Sequence, residues 1–336
     1  MPVSRFMGES NALYYSSRDP LGATGDFITA PDISQMFGEM IGLWCAELWH
    51  RAGSPWQIAY VELGPGRATL AIDALRAMNR QGLRPRVHFV EASRALRALQ
   101  QERVPSAIFH DDLSDLPDDI PLLLVANEFL DALPIRQLVR LESGWRERMV
   151  GLMEGELVFI AGDQPMGEAV PEDRDDVAPG EIIETSPAAA TVVGEIAARL
   201  AKQGGAALFV DYGHLAPRTG STLQAVRRHA KIGVLDRPGD ADLTAHVDFA
   251  TLAEIATLHG VTVQSATQGA FLSALGIETR ARALADATPK RAKETDIALR
   301  RLTAENEMGE LFKVMALTGG GWPQGAGMVV SGSDIK

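Results

Sequence analysis

The stretch Trp56–Gly82, WQIAYVELGPGRATLAIDALRAMNRQG, decides the fold. Its first eight residues form an apolar run bounded by turn formers, which reads as a buried strand. RATLAIDALRAMNRQG then carries apolar residues at helical spacing and stops at Gly82. Between them lie Gly64-Pro65-Gly66. Small residues between a strand and a helix let a backbone approach a ligand at the carboxyl edge of an open sheet.

The chemistry of that ligand follows from what flanks the glycines. A dinucleotide fingerprint needs a third glycine, but Arg67, Ala68 and Thr69 follow Gly66. Glu62 stands two residues before Gly64. A carboxylate at the cradle opposes a pyrophosphate and suits an ammonium or a sulfonium. S-adenosyl-L-methionine carries both and no phosphate. Taken alone, the glycine pair is equally the signature of a bare turn.

Working outward, RVHFVEA is a second strand ending at Glu91, SAIFHDD a third ending at Asp111-Asp112, and PLLLVANE a fourth ending at Asn127-Glu128. An acid at the end of the second strand can bind ribose hydroxyls bidentately. Asp112 can accept from an adenine amino group, or serve as a turn residue. Glu62, Glu91, Asp112 and Asn127-Glu128 thus follow different strands at the edge where α/β proteins bind ligands. Asn127 and Glu128, with Asp131 close behind, reach the reacting end of such a pocket, or else stitch the strand end together.

The strand and helix alternation implies an α/β fold with a parallel sheet and helices on both faces. The pattern divides the chain into an N-terminal helical cap (1–55), a first half of the core (56–134), inserted antiparallel hairpins with an acidic, Pro-rich loop (135–186), and a second half (187–336). Turns fall near Ser143-Gly144 and Glu154-Gly155. Residues 29–53 read as one helix with Thr29 as N-cap and Asp32 completing a capping box. Residues 215–245 read as irregular, and Asp248 as the cap of FATLAEIATLH. VTVQSA and LFKVMAL are later strands, expected side by side.

The 336 residues carry 32 Lys and Arg against 44 Asp and Glu, a net charge of -12. Nucleic-acid binders usually show basic patches, so no nucleic-acid partner is expected; an acidic surface suits a cationic one. The single cysteine, Cys45, excludes an intrachain disulfide and a Cys-rich metal site. No H-x-x-x-H pair occurs, so no metal is expected. No run approaches the length of a membrane span. The first residues, MPVSRFMGES, lack the apolar stretch of a signal peptide, and a cytoplasmic location is expected.

GDFITAPDISQMFGEMIG (25–42), VELGPGRATL, VEAS, ANEFLDALPI, LFVDYGH and DLTAHVDF occur in this order. Together they resemble the MidA-like methyltransferases, bacterial relatives of the mitochondrial complex I assembly-factor arginine methyltransferase. The resemblance spans nearly the whole chain. It implies a class I, Rossmann-like core of seven mostly parallel strands, S-adenosyl-L-methionine as cofactor, and a protein substrate, a complex I core subunit methylated on arginine. It maps the glycine motif to Glu62, Gly64 and Gly66, the second-strand acid to Glu91, and the N-E-F-x-D-A-L-P motif to Asn127 through Pro134. The family's usual glycine two places after Gly66 is Ala68 here, and the N-terminus is shorter than the family's. Asp112 and Asn127 complete the expected cofactor contacts. Glu128 and Asp131 are the expected clamp on the acceptor guanidinium, beside Asn127. The segment from Gly25 to Glu39 is expected to close over the pocket, with Asp26, Thr29 and Gln35 lining it. His246 is a further candidate near the site, and Arg67 a candidate partner of Glu62 or of the cofactor carboxylate. The alternatives are a non-catalytic assembly factor that keeps the fold, a methyltransferase for another acceptor, and a nicotinamide dehydrogenase.

Overall fold

The computed structural model of the chain describes residues 1–17, 29–171, 174, 177–227 and 230–330. It divides into two compact units. The sheet unit holds Ile28–Phe129, Val193–Tyr212 and Ala253–Lys336; the insert unit holds Met1–Phe27, Leu130–Val192 and Gly213–Leu252. The chain therefore crosses between units repeatedly, whereas the sequence pattern suggested four consecutive segments.

In chain order, α1 (Val3–Ser17), α2 (Ala30–Ile33) and α3 (Gln35–Arg51) come first. The alternating run is β1 (Ala59–Leu63), α4 (Thr69–Arg80), β2 (Arg86–Val90), α5 (Arg94–Arg103), β3 (Ile108–His110) and β4 (Leu122–Asn127). The hairpins follow as β5 (Arg136–Leu141), β6 (Gly144–Met153), β7 (Glu156–Pro165) and β8 (Ile182–Thr185). Alternation resumes with α6 (Pro187–Gln203) and β9 (Gly205–His214), then β10 (Gln224–Arg227), β11 (Ala230–Ile232), β12 (Asp242–Thr244) and β13 (Val247–Asp248). The chain finishes with α7 (Phe249–Leu258), β14 (Thr262–Thr267), α8 (Gln268–Ala274), α9 (Ile277–Ala287), α10 (Ala292–Thr303), α11 (Met308–Leu311), β15 (Phe312–Gly319) and β16 (Val329–Val330).

The sheet runs β16-β14-β15-β9-β4-β1-β2-β3, with β13 paired to the end of β9. From β9 to β3 every pairing is parallel, and β15 runs antiparallel between β9 and β14. Without its edge strands β16 and β13 this is the expected seven-stranded, mostly parallel sheet. Every residue of β1, and Leu122–Ala126 of β4, is buried, as a parallel strand covered on both faces demands. Strand order reverses between β1 and β4, because β2 and β3 lie on one side of β1 and β4 on the other. That switch point is where open α/β sheets bind ligands.

Two sequence expectations in this unit change. The helix expected to start at Thr29 is two helices, because Ser34 is extended (φ -163, ψ 142) and ends α2. Ser34 Oγ accepts from the Met36 N–H at 3.2 Å and so caps α3, while the Thr29 hydroxyl donates to Asp32 Oδ2 at 3.1 Å. The helix expected over FLSALGIETRARALADA is likewise split, at Gly276 with φ +86. Helix α3 lies close on α4: a Cβ added at Gly42 would sit 2.3 Å from the Ala74 carbonyl oxygen.

The insert unit contains the antiparallel sheet β7-β6-β5-β8 and a three-stranded sheet β11-β10-β12. The second sheet occupies the stretch expected to be irregular. Its strands are only three or four residues long, too short for a period to show. Val3, Phe6 and Met7 of α1 pack with Ile135, Val150, Leu223 and Leu243. Asn11 is buried and acts as a substitute strand: Nδ2 donates to the Ala132 and Leu243 carbonyls (3.2 and 2.8 Å), and Oδ1 accepts from the Leu243 N–H (3.0 Å). Apolar contacts and this amide together hold α1 in the unit.

Candidate active site

The parallel register brings four strand ends level. Leu63 pairs with Val90 and with Ala126 near the end of β4, and Val90 pairs with His110 at the end of β3. The ladder continues one residue further, through Gly64 N–H to Val90 O (2.9 Å), Glu91 N–H to His110 O (3.3 Å) and Glu128 N–H to Val210 O (2.9 Å). Glu62, the glycine loop, Glu91 and Asn127-Glu128 therefore share one edge of the sheet unit.

Gly64 and Gly66 both take left-handed φ values, +57 and +52. A Cβ at Gly64 would approach the Phe129 ring to 3.0 Å. Ala68, where the resemblance places a glycine, is also left-handed (φ 57, ψ 25) and fully buried. That conformation costs an alanine about 1 kcal/mol.

Glu62 is 3% exposed, and its one partner among the described residues is the Tyr60 hydroxyl, which donates to Oε2 at 2.7 Å. Burial pushes its carboxyl up to about 8, with the Tyr60 hydrogen bond pulling the other way. A cation here would be strongly favoured. Glu91 is also buried, and burial raises its carboxyl too, against hydrogen bonds from the Ser93 N–H (2.8 Å) and Gln100 Nε2 (3.1 Å).

Gln100 is a site residue that sequence reading missed. It is wholly buried and donates from Nε2 both to Glu91 Oε2 and to the Gly66 carbonyl (2.7 Å), tying the loop to the acid. Its position on α5 gives no motif signal beyond a polar residue on a buried turn. Arg97 was missed as well. It donates to Glu91 O, His110 O and Asp111 Oδ1, fastening the ends of β2 and β3. Asp112 is exposed, and its Oδ1 accepts from the Ser114 N–H at 2.9 Å, a contact that lowers its carboxyl.

At the tip of β4, Asn127 Oδ1 is buried with no partner among the described residues, while Nδ2 donates to Glu128 Oε1 at 3.3 Å. Glu128 has φ +50, a left-handed conformation that costs a non-glycine residue about 1–3 kcal/mol and concentrates at functional sites. Its Oε1 also accepts from the Ala30 N–H at 3.2 Å. The tip is held by Asp211, a third residue missed from sequence, whose Oδ2 accepts from the Phe129 N–H (3.2 Å) and Oδ1 from the Tyr212 N–H (3.0 Å).

The remaining candidates are placed as follows. Gln35 donates to Glu39 (3.1 Å), and Thr29 to Asp32. The Arg67 carbonyl accepts from Arg103 at 2.6 Å. Asp26 lies outside the described residues, as does the start of the segment expected to close the pocket. In the insert unit, Asp131 is buried and its carbonyl accepts from the Ala245 N–H (3.0 Å). His246 lines a cavity of that unit. Asp248 caps α7 as expected, accepting from the Thr251 N–H at 3.2 Å. Among the described residues no group of three or more His, Cys, Asp or Glu side chains is placed to hold a metal, and no helix is long and apolar enough to cross a membrane.

This edge fits an adenosyl sulfonium donor on its own chemistry. Glu62 is buried with one donor, Asn127 Oδ1 is buried with no partner among the described residues, and a Cβ at Gly64 would crowd the Phe129 ring. Strand order, reversed β15 and acid-lined edge together define a class I methyltransferase. The chain belongs to the S-adenosyl-L-methionine-dependent methyltransferase family whose sequence profile matches residues 40–267.

It is 33% identical to the mitochondrial protein arginine methyltransferase NDUFAF7 of Xenopus tropicalis, over 94% of this chain and 81% of that protein. The human protein of the same name is 35% identical, over 90% of this chain and 76% of its own length. A methyltransferase structure from Burkholderia thailandensis, bound to S-adenosyl-homocysteine, superimposes with a TM-score of 0.84 at 29% identity, covering 97% of this chain and 91% of that one. The protein is thus an S-adenosyl-L-methionine-dependent methyltransferase. The expected cytoplasmic location is withdrawn, since these curated relatives are mitochondrial by name.

Proposed function

We propose that the protein methylates an arginine side chain of another protein, a core subunit of respiratory complex I. The reading is carried by buried Glu62, whose one partner among the described residues is the Tyr60 hydroxyl, joined to the arginine methyltransferase relatives. When bound, the donor supplies a methyl group already activated on its sulfonium, so the chain's work is alignment and exclusion of water. Glu62 would hold the methionine ammonium, and the Gly64–Gly66 backbone its carboxylate end. Glu91 would hold the ribose hydroxyls, Asp112 the adenine amino group, and Asn127 a polar group through its open oxygen.

Arginine is a poor nucleophile because its guanidinium keeps its proton far above neutral pH. Carboxylates that bind two guanidinium nitrogens localise charge away from the third. Glu128 and Asp131 take that role. The net charge of -12 favours approach of a basic segment.

Mass spectrometry of the complex I core subunits, isolated with and without this protein, tests the reading. Loss of an arginine methyl mark on its removal is the expected result. Wild-type turnover in both Glu128→Gln and Asp131→Asn, with donor binding unchanged, would refute the clamp. Donor binding with no methyl transfer to any subunit would instead favour an assembly factor that keeps the fold.

A further inference from the structure

The insert unit encloses a cavity of about 330 Å³ between the first turns of α6 and α7, the end of β8, and β13. Leu130, Ile135, Ala190, Val247 and Leu252 give it apolar walls. Two wall residues, Leu130 and Ala245, adjoin Asp131: one precedes it in sequence, and the other donates its N–H to the Asp131 carbonyl.

Most polar groups of the lining are committed elsewhere. Asp248 accepts from Arg174 (2.7 Å) and from the Thr251 hydroxyl (2.9 Å). Arg136 donates to Glu147 (2.9 Å), and the Ser186 hydroxyl caps α6 by accepting from the Ala189 N–H (3.2 Å). Glu184 accepts from Gln137, from the backbone and hydroxyl of Thr222, and from the Leu223 N–H, all uncharged donors. Arg148, whose charge reaches Glu184, donates instead to Gln137 and stacks 3.7 Å over the Phe159 ring.

His214 is different. Its Nδ1 lies 2.7 Å from the Ala216 carbonyl oxygen. A carbonyl only accepts, so Nδ1 carries the proton and Nε2 keeps a lone pair with no partner among the described residues. Asp248 lies 3.7 Å from Nδ1 and favours the charged ring, but burial prevails, with Arg218 and Arg174 adding to it, and the ring titrates below the usual histidine range. At neutral pH the cavity lining therefore includes an uncharged imidazole among apolar walls, and Glu184, which among the described residues accepts only from uncharged donors.

We propose that this cavity receives an arginine side chain of the protein substrate, and that His214 Nε2 accepts a hydrogen bond from its guanidinium. A guanidinium has five N–H donors and no acceptor, and its aliphatic stem suits the walls. The proposal rests on the arginine reading above and adds to it a recognition site within the insert unit.

The test uses the full chain saturated with S-adenosyl-homocysteine and labelled with nitrogen-15 at histidine. N-acetyl-arginine methylamide, its lysine counterpart and inorganic phosphate are titrated in, and the imidazole nitrogens are followed by NMR. The arginine probe should move His214 Nε2 saturably, and the lysine probe should bind at least about tenfold more weakly. His214→Asn keeps a donor for Ala216 but, being shorter, places no acceptor where Nε2 stood. It should weaken the arginine probe about tenfold, and His214→Gln should recover part of the loss. A His214 ring that stays still under the arginine probe, or responds to phosphate alone, overturns the proposal. Absence of arginine methylation by the wild type would count against the arginine reading. Arginine methylation by the wild type, with His214→Asn matching it in KM and pH profile, would count against the cavity alone.

Discussion

Buried Glu62 of the sheet unit and half-buried Glu184 and Asp248 of the insert unit are supplied with donors very differently. At the sheet edge, Glu62 has one partner, the Tyr60 hydroxyl, and Asn127 Oδ1 has none among the described residues. In the insert unit, Glu184 gathers donors from Gln137, Thr222 and Leu223, and Asp248 from Arg174 and Thr251. The cause is topological. Glu62 lies inside β1, whose amides are used in ladder bonds on both sides, and finds one donor, whereas Glu91, past the end of β2, accepts from the Ser93 N–H and Gln100. An antiparallel insert lays loop N–H groups beside its acids. Acids supplied by the fold, as Glu184 and Asp248 are, hold the fold; Glu62, buried with one donor, is the acid proposed for the ammonium.

The largest test of that contrast is pH. Glu62 ionises near 4.5 in the unfolded chain and about 8 in the fold. Between those values the unfolded chain loses a proton that the folded chain keeps. The stability this group contributes is therefore full below pH 4.5 and is lost as pH rises to 8, on the order of a few kcal/mol. Urea unfolding at pH 5 and pH 8 should show the fall, and Glu62→Gln should flatten it. A slope unchanged in the variant would show that Glu62 is not the group responsible.

Next in size is ligand binding. Glu62→Gln should weaken S-adenosyl-homocysteine by about 10–100-fold in calorimetry, the worth of one charged hydrogen bond to the ammonium. Glu184→Gln sharpens the comparison from the other side. It should lower stability by about 1–2 kcal/mol through lost acceptor bonds, with binding of S-adenosyl-homocysteine unchanged. An exchange of these outcomes between the two acids would break the distinction.

The smallest effect belongs to Ala68. Glycine relieves the left-handed strain but adds unfolded-state entropy, so Ala68→Gly should gain at most about 1 kcal/mol in thermal unfolding. A clear loss would show that the alanine methyl packs better than its backbone suffers.

The strands β1 and β4 were legible because a parallel strand buried on both faces writes a continuous apolar run. Glu62, Glu91 and Asn127-Glu128 were legible because they interrupt such runs. The break at Ser34 was not, since apolar spacing continues across it and one extended residue leaves no trace in a period. The sheet β10 to β12 escaped for lack of length. Gln100, Arg97 and Asp211 escaped because each acts on residues distant in sequence, and a single polar residue at a helix or strand end looks the same whether or not it reaches them.

By itself, the order of residues determined the α/β class, the glycine turn and the acids that close each strand, because these depend on local period and on chain neighbours. Tertiary structure alone decided that β1 and β4 adjoin, that Gln100 bridges loop and acid, that Ala68 and Glu128 are left-handed, and that His214 Nδ1 meets the Ala216 carbonyl. Those are questions of which donors reach which acceptors in space, and only the folded backbone answers them.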